Sequence, residues 1–205
     1  MILEAWEAHV AMPARSTILP DGCQDLLFTA LPGEAPRWEI TSLDDTPYKI
    51  DIPAGAYFKG FRMQVGVGFL ADNLLASVHG LLPNDAGVED RLLNFSSHNS
   101  LVLDALEALA RQATFGGNVA FSAADISVHQ RQLQRAMALH TGRSAAAWLG
   151  LARVRKAARA IRAGGALSEV AYDTGFSDQS HMTRAFRQWL GTTPKNAPRL
   201  SSGYS

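Results

Sequence analysis

The chain has 205 residues, 47% hydrophobic and 19% charged, a balance that excludes intrinsic disorder and leaves room for one or two domains with a buried core. Its net charge of zero hides two opposite fields: residues 1–97 hold 6 Lys and Arg against 13 Asp and Glu, net −7, and residues 98–205 hold 13 against 6, net +7. Such a split marks a nucleic-acid-binding half, because neutralising phosphates supplies most non-specific affinity.

Cys23, the one cysteine, cannot form an internal disulfide, and the opening MILEAWEAHV lacks the basic and apolar runs of a secretion signal, so a cytoplasmic protein is expected. The longest apolar stretch, Val65–Val78, is interrupted by Asp72 and Asn73 and is too short to span a bilayer.

Residues 1–64 carry short runs rich in Ile, Val, Phe, Tyr and Trp: EAWEAHV, STILP, then a Pro20-Asp21-Gly22 turn into QDLLFTA, then RWEITSL, PYKIDI and AYFKGFRM. Their spacing by Pro, Gly and Asp predicts a small antiparallel β sheet or barrel. Residues 70–79 read as a helix, and the polar stretch Leu81–Asn99 reads as the end of this domain and a linker. Leu101–Gln112 is amphipathic and is expected to open the C-terminal domain, with Leu103, Leu106 and Ala110 inward. Three apolar positions do not specify a coiled-coil seam.

A helix over Asn118–Ile126, a turn at Ser127-Val128 and a helix over Gln130–His140 follow. Leu133 and Met137 face inward, and Arg131, Gln134 and Arg135 lie roughly 100 to 200° round the helix from Leu133. Gly142 stops that helix. Ser144–Arg162 then forms a strut of roughly 28 Å with Trp148, Val154, Ala157 and Ile161 on its inner side. Gly164-Gly165 breaks the strut, and Ser168–Asp173 makes a short helix with Val170 and Ala171 inward. Gly175-Phe176 turns the chain, Ser177 or Asp178 caps the last helix, and Met182, Phe186 and Trp189 form its buried stripe. Opposite that stripe stand Ser180, Thr183, Arg184 and Arg187. Leu133 and Met137 stand to Arg135 as Met182 and Phe186 stand to Arg184, an internal repeat of 49 positions. A polar tail follows from Pro194 to Ser205.

The string GFSDQSHMTRAFRQWLGTTP resembles the second helix-turn-helix of AraC/XylS-type transcription regulators, including the Gly-x-Thr-Pro that closes it. VHQRQLQRAMALHTGRSAAAWL is similar to that family's first recognition helix, and ARVRKAARAI to its connecting helix. ILPDGCQDLLF is similar to short cupin-like N-terminal domains of some members. The resemblance implies an α+β chain: a small antiparallel β, cupin-like sensor domain over 1–97, then an all-α DNA-binding domain over 98–200 with two helix-turn-helix units joined by a long helix. Double-stranded DNA is the implied partner and RNA polymerase a second one. A small-molecule effector or self-association as a homodimer would act through the N-terminal domain. Two positions depart from the family: His129 stands where Ser or Thr caps the helix, and Ser122 where Leu is usual. The missing cap makes the first unit the less rigid of the two.

Major-groove reading needs forked donors on an exposed helix face. The base-reading candidates are therefore Arg131, Gln134 and Arg135 on the first helix and Gln179, Ser180, His181 and Arg184 on the second. The phosphate candidates are Gln130, Thr183, Arg187, Arg155, Lys156 and Arg159. Arg153, Arg155, Lys156, Arg159 and Arg162 could form an ordinary solvated face, but no acid occurs in residues 126–168 to pair with them. The six histidines, at 9, 79, 98, 129, 140 and 181, show no H-x-H or HExxH spacing, so neither a metal nor a cofactor is expected. Cys23 reads as a partly buried small residue, since flanking Asp21 and Asp25 disfavour a thiolate. The acids of residues 1–97 are scattered singly, as on a solvated surface. A β-barrel enzyme fused to a DNA-binding module is the alternative function, and it needs a catalytic cluster not visible there.

Overall fold

The computed structural model describes residues 2–20, 22–44, 46–114 and 116–197. The expected turn at Asp21 and residues 198–205 of the tail lie outside these. The chain divides into two compact units: Met1–Ile18, Gly22–Leu43 and Lys49–His98 form one, and Leu19–Asp21, Asp44–Tyr48 and Asn99–Ser205 the other.

The first unit contains β1 (Ile2–His9), β2 (Ala14–Ile18), β3 (Asp25–Ala30), β4 (Arg37–Ile40), β5 (Tyr48–Ile52), β6 (Tyr57–Met63), β7 (Val67–Phe69), α1 (Ala71–Val78), α2 (Val88–Asn94) and β8 (Ser96–His98). Four strands form an antiparallel sheet in the order β1-β6-β3-β4; β2 pairs with β5, and β7 runs antiparallel to β8. The two-residue period of the strands puts Leu26, Phe61 and Met63 on one face, where they join Leu74 and Val78 of α1 and Val88 and Leu92 of α2 in one core. On the opposite face the ring of Trp6 lies across Gly60, its partner in the ladder, where a Cβ would stand 2.2 Å from the indole. Arg62 on β6 clasps the Asp25 carboxylate from Nε and Nη2 at 3.1 and 3.3 Å.

The stretch Leu81–Asn99, expected to end the first domain and lead into a linker, carries elements of its own. Within Leu81–Asn99 lie α2 and β8, and Val88 and Leu92 are almost wholly buried, so two apolar residues four apart outweigh the Pro, Gly and Asp around them.

The second unit is helical: α3 (Ser100–Arg111), α4 (Val119–Asp125), α5 (Gln130–Thr141), α6 (Ala145–Arg162), α7 (Leu167–Asp173) and α8 (Gln179–Leu190). Asn99, Asn118, Ser144 and Asp178 cap α3, α4, α6 and α8 with side-chain oxygens on backbone N–H groups. The buried residues of α3 are Val102, Ala105, Leu106, Ala108 and Leu109, while Leu103 and Ala110 are half-buried. This helix packs on α4, α5 and α6 together, so its apolar arc is wider and rotated from the expected one. The α+β class expected from the sequence is the class observed. Among the described residues no helix is long and apolar enough to cross a membrane.

Candidate nucleic-acid interface

The second unit builds the same object twice. Each begins with a seven-residue helix, α4 or α7, and ends with a twelve-residue helix, α5 or α8, starting 49 residues apart at Gln130 and Gln179. The first helix of each closes alike. Val128 N–H donates to Ala123 O at 3.0 Å and Ser127 N–H to Ala124 O at 3.0 Å; Phe176 N–H donates to Ala171 O at 2.9 Å and Gly175 N–H to Tyr172 O at 3.1 Å. These paired bonds are the left-handed helix end that turns the chain sharply. Its left-handed residue is Gly175 (φ 75°) in the second unit and Ser127 (φ 55°) in the first, the latter the only non-glycine at positive φ among the described residues. One residue, Ser177, is additional in the second turn. Gly142 and Gly191, again 49 apart, end α5 and α8 in the left-handed region.

The buried sides agree with the sequence pattern: Leu133 and Met137 on α5 and Met182 and Phe186 on α8 are fully covered, and Trp189 is nearly so. On the other side of α5, Gln130, Arg131, Gln134 and Arg135 are all exposed. On α8, Gln179, Ser180, Arg184 and Arg187 are exposed, whereas His181 and Thr183 are half-buried and already engaged. His181 Nδ1 lies 3.2 Å from Ser177 Oγ, its ring meets Phe176 edge-on at 5.2 Å, and Thr183 Oγ1 donates to Gln179 O at 2.8 Å.

The caps differ as expected. Asp178 Oδ1 accepts the His181 N–H at 2.7 Å, but His129 places no side chain on the start of α5. The His181 N–H, foremost, holds the Asp178 carboxyl below its ordinary value of 3.8, aided by the Ser177 hydroxyl, the Ser180 N–H and the positive charge of Arg184. Asp178 thereby faces the exposed cation most central to α8.

On α6 the cationic run divides. Lys156, Arg159 and Arg162 are exposed, but Arg155 is only 9% exposed, which sets it apart from the other phosphate candidates. Arg153 is half-buried: its Nη2 donates to Gly117 O, its Nε is buried near Gly175, and burial lowers its guanidinium pKa. Arg143 was not singled out from the sequence, yet it is 6% exposed with Cζ 5.8 Å from the Trp148 ring and 5.3 Å from the Trp189 ring. It therefore ties the start of α6 to α8 through two cation–π contacts. The only sequence signal was negative: Arg143 sits in residues 126–168, a stretch that holds no acid. Among the described residues no group of three or more His, Cys, Asp and Glu could hold a metal ion.

Two helix-turn-helix units, each exposing one arginine-bearing face and both packed on α6, have the build of a DNA-binding module. Residues 122–199 match the helix-turn-helix domain family. They form a helix-turn-helix domain of that family. Among solved structures the chain is similar to the C-terminal domain of AraT, a response regulator from Geobacillus stearothermophilus, at 20% identity and a TM-score of 0.44, covering 52% of this chain and 93% of that one. It is similar to a probable AraC family transcriptional regulator from Rhodopseudomonas palustris at 20% identity and a TM-score of 0.43, covering 48% and 94%. ToxT from Vibrio cholerae covers 94% of this chain, and the match covers 91% of ToxT, at 12% identity and a TM-score of 0.40. Comparison with curated protein sequences gave no match.

Proposed function

We propose that this chain is an AraC-type transcription regulator that reads two successive major grooves with α5 and α8, using residues 98–200 for DNA and residues 1–97 to tune activity. The reading side chains are Arg131, Gln134 and Arg135 on α5 and Gln179, Ser180, His181 and Arg184 on α8. Gln130, Thr183, Arg187, Lys156 and Arg159 meet phosphates; Arg155 joins them only where α6 exposes it on binding. The observation that carries this reading is the 49-residue repeat of exposed arginines, Arg135 and Arg184, at the same place on two helices joined through α6. Eighteen residues make α6 roughly 27 Å long, close to the ~34 Å between successive major grooves on one side of the duplex.

A site selection with randomised duplexes tests it. Arg135→Ala should relax base preference at one end of the operator and Arg184→Ala at the other, about 10 bp away, each costing on the order of 1 to 3 kcal/mol against the preferred base. Because α8 is capped and α5 is not, Arg184→Ala should be the more damaging. Loss of preference at the same positions in both variants would show that the helices do not dock separately.

A cleft within the first unit supports effector sensing there. Phe28 and Trp38, edge-on at 5.1 Å, line a space of about 730 Å³ with Leu75, His79 and Leu81. That is within the ~300 to 1,000 Å³ of small-molecule pockets. Self-association through the same domain as a homodimer, RNA polymerase as the downstream partner and a cytoplasmic location complete the proposal.

A further inference from the structure

Arg153 stands midway along α6, and unlike Lys156, Arg159 and Arg162 on the same helix it is half-buried. Two segments close on its guanidinium. On one side Nη2 donates to Gly117 O; Gly117 N–H donates in turn to Thr114 O at 3.2 Å, and the next residue, Asn118, caps α4. On the other side lies the turn between α7 and α8. A Cβ at Gly175 would stand 3.0 Å from Arg153 Nε, 3.4 Å from Cζ and 2.7 Å from Thr114 O. Nε is buried there with no hydrogen-bond partner, so close packing rather than a bond seats it against the turn. Burying a charge in this place is costly: the guanidinium pKa is lowered, and a backbone carbonyl rather than a carboxylate meets the group.

Gly117 leads into the first helix-turn-helix and Gly175 turns the second, so one planar group touches the backbone entering both. The repeat does not account for it. At the corresponding place 49 residues earlier stands Asp104, exposed on α3, so the grip is added between the two units and is not a part of each. We infer that Arg153 is a positioning residue for DNA reading: clasping Gly117 and seated against the Gly175 turn, its guanidinium sets the register of α8 relative to α5 and thereby the number of base pairs accepted between the two half-sites. This inference rests on the two-groove reading proposed above. One base pair added between the half-sites moves one of them ~3.4 Å along the duplex and turns it by roughly 34°. A unit free to rock on α6 follows such a shift, and one pinned through Arg153 does not. Because Arg153 acts through Gly117 and Gly175, it governs spacing and not which bases are read. The fixed fork of arginine suits this task, whereas the single ammonium of lysine sits on a flexible stem.

The test uses the full chain and the duplex recovered by the site selection above, rebuilt with one or two base pairs inserted or deleted between the half-sites. Wild type should bind the recovered spacing at least about tenfold more tightly than any shifted one, the loss of one good base contact. Arg153→Met keeps an unbranched side chain without the fork and should bind all the spacings within about threefold of one another, with base preference at each half-site intact. Arg153→Lys keeps the charge and should flatten the profile as well. Arg162→Met removes an exposed charge from the same helix and should retain the wild-type profile. Circular dichroism shows which variants are folded, and if Arg153→Met is not, Arg153→Lys carries the test. A spacing profile as sharp as wild type in either folded Arg153 variant, whatever the change in affinity, overturns the inference and leaves the two-groove reading standing. Wild-type binding through a single half-site overturns both.

Discussion

Ser127 is held where an L-residue is strained, in a turn whose counterpart uses Gly175. Ser127→Gly should raise stability by on the order of 1 kcal/mol, measured by denaturant unfolding, because the left-handed backbone costs a Cβ-bearing residue about that much. His129 leaves the first N–H groups of α5 without a side-chain acceptor, and His129→Ser should add ~0.5 to 1 kcal/mol in the same assay. Neither change touches a reading side chain, so base preference should stay as it was. Asp178 gives the opposite case. Its carboxyl titrates lower in the folded protein than in the unfolded chain, so its contribution is complete above about pH 3.8 and is lost as pH falls through the depressed folded value. Thermal midpoints of Asp178→Asn and wild type should therefore converge below that pH and separate above it. A constant gap down to pH 2 would remove the linkage.

The turns and the strut carry the element-scale constraints. A Cβ on Gly175 would stand 2.7 Å from Thr114 O and 3.0 Å from Arg153 Nε, and φ is positive there, so Gly175→Ala should destabilise by more than ~1 kcal/mol and loosen the placement of α8. Loss of Arg184-dependent base preference without loss of the Arg135 end would be the binding signature. Arg143 joins the start of α6 to α8 through Trp148 and Trp189. A double-mutant cycle of Arg143→Met with Trp189→Leu should return a coupling of about 1 kcal/mol, and a value near zero would mean that packing alone holds the stack.

For the molecule as a whole, the +7 carried by residues 98–205 predicts strongly salt-dependent binding. Six or more phosphate contacts give a log–log slope of magnitude roughly 5 or above, and a slope near zero in a salt titration of the full chain would refute the charge argument.

The local chemistry of the sequence was enough to define the second unit. Helical periodicity, Gly stops, Asn, Ser and Asp caps and a 49-residue repeat lie within single helices, where neighbours are fixed by the 3.6-residue turn. The α2 helix and β8 strand were hidden because their stability comes from Leu74, Val78 and Val67, which are distant in sequence, while their own residues are polar and turn-like. The cations of α6 divide between surface and interior for a related reason. Sequence gives the angle of Arg153 and Arg155 round their helix but not what packs there, and Gly117, Gly175 and the α3 face decide which guanidinium is buried. What the sequence determined by itself was therefore the division of charge, the two repeated heads and the faces of α5 and α8. The tertiary structure alone decided the Arg143 stack, the partial burial of Arg153 and the burial of Arg155, because each is made by groups brought together from distant parts of the chain.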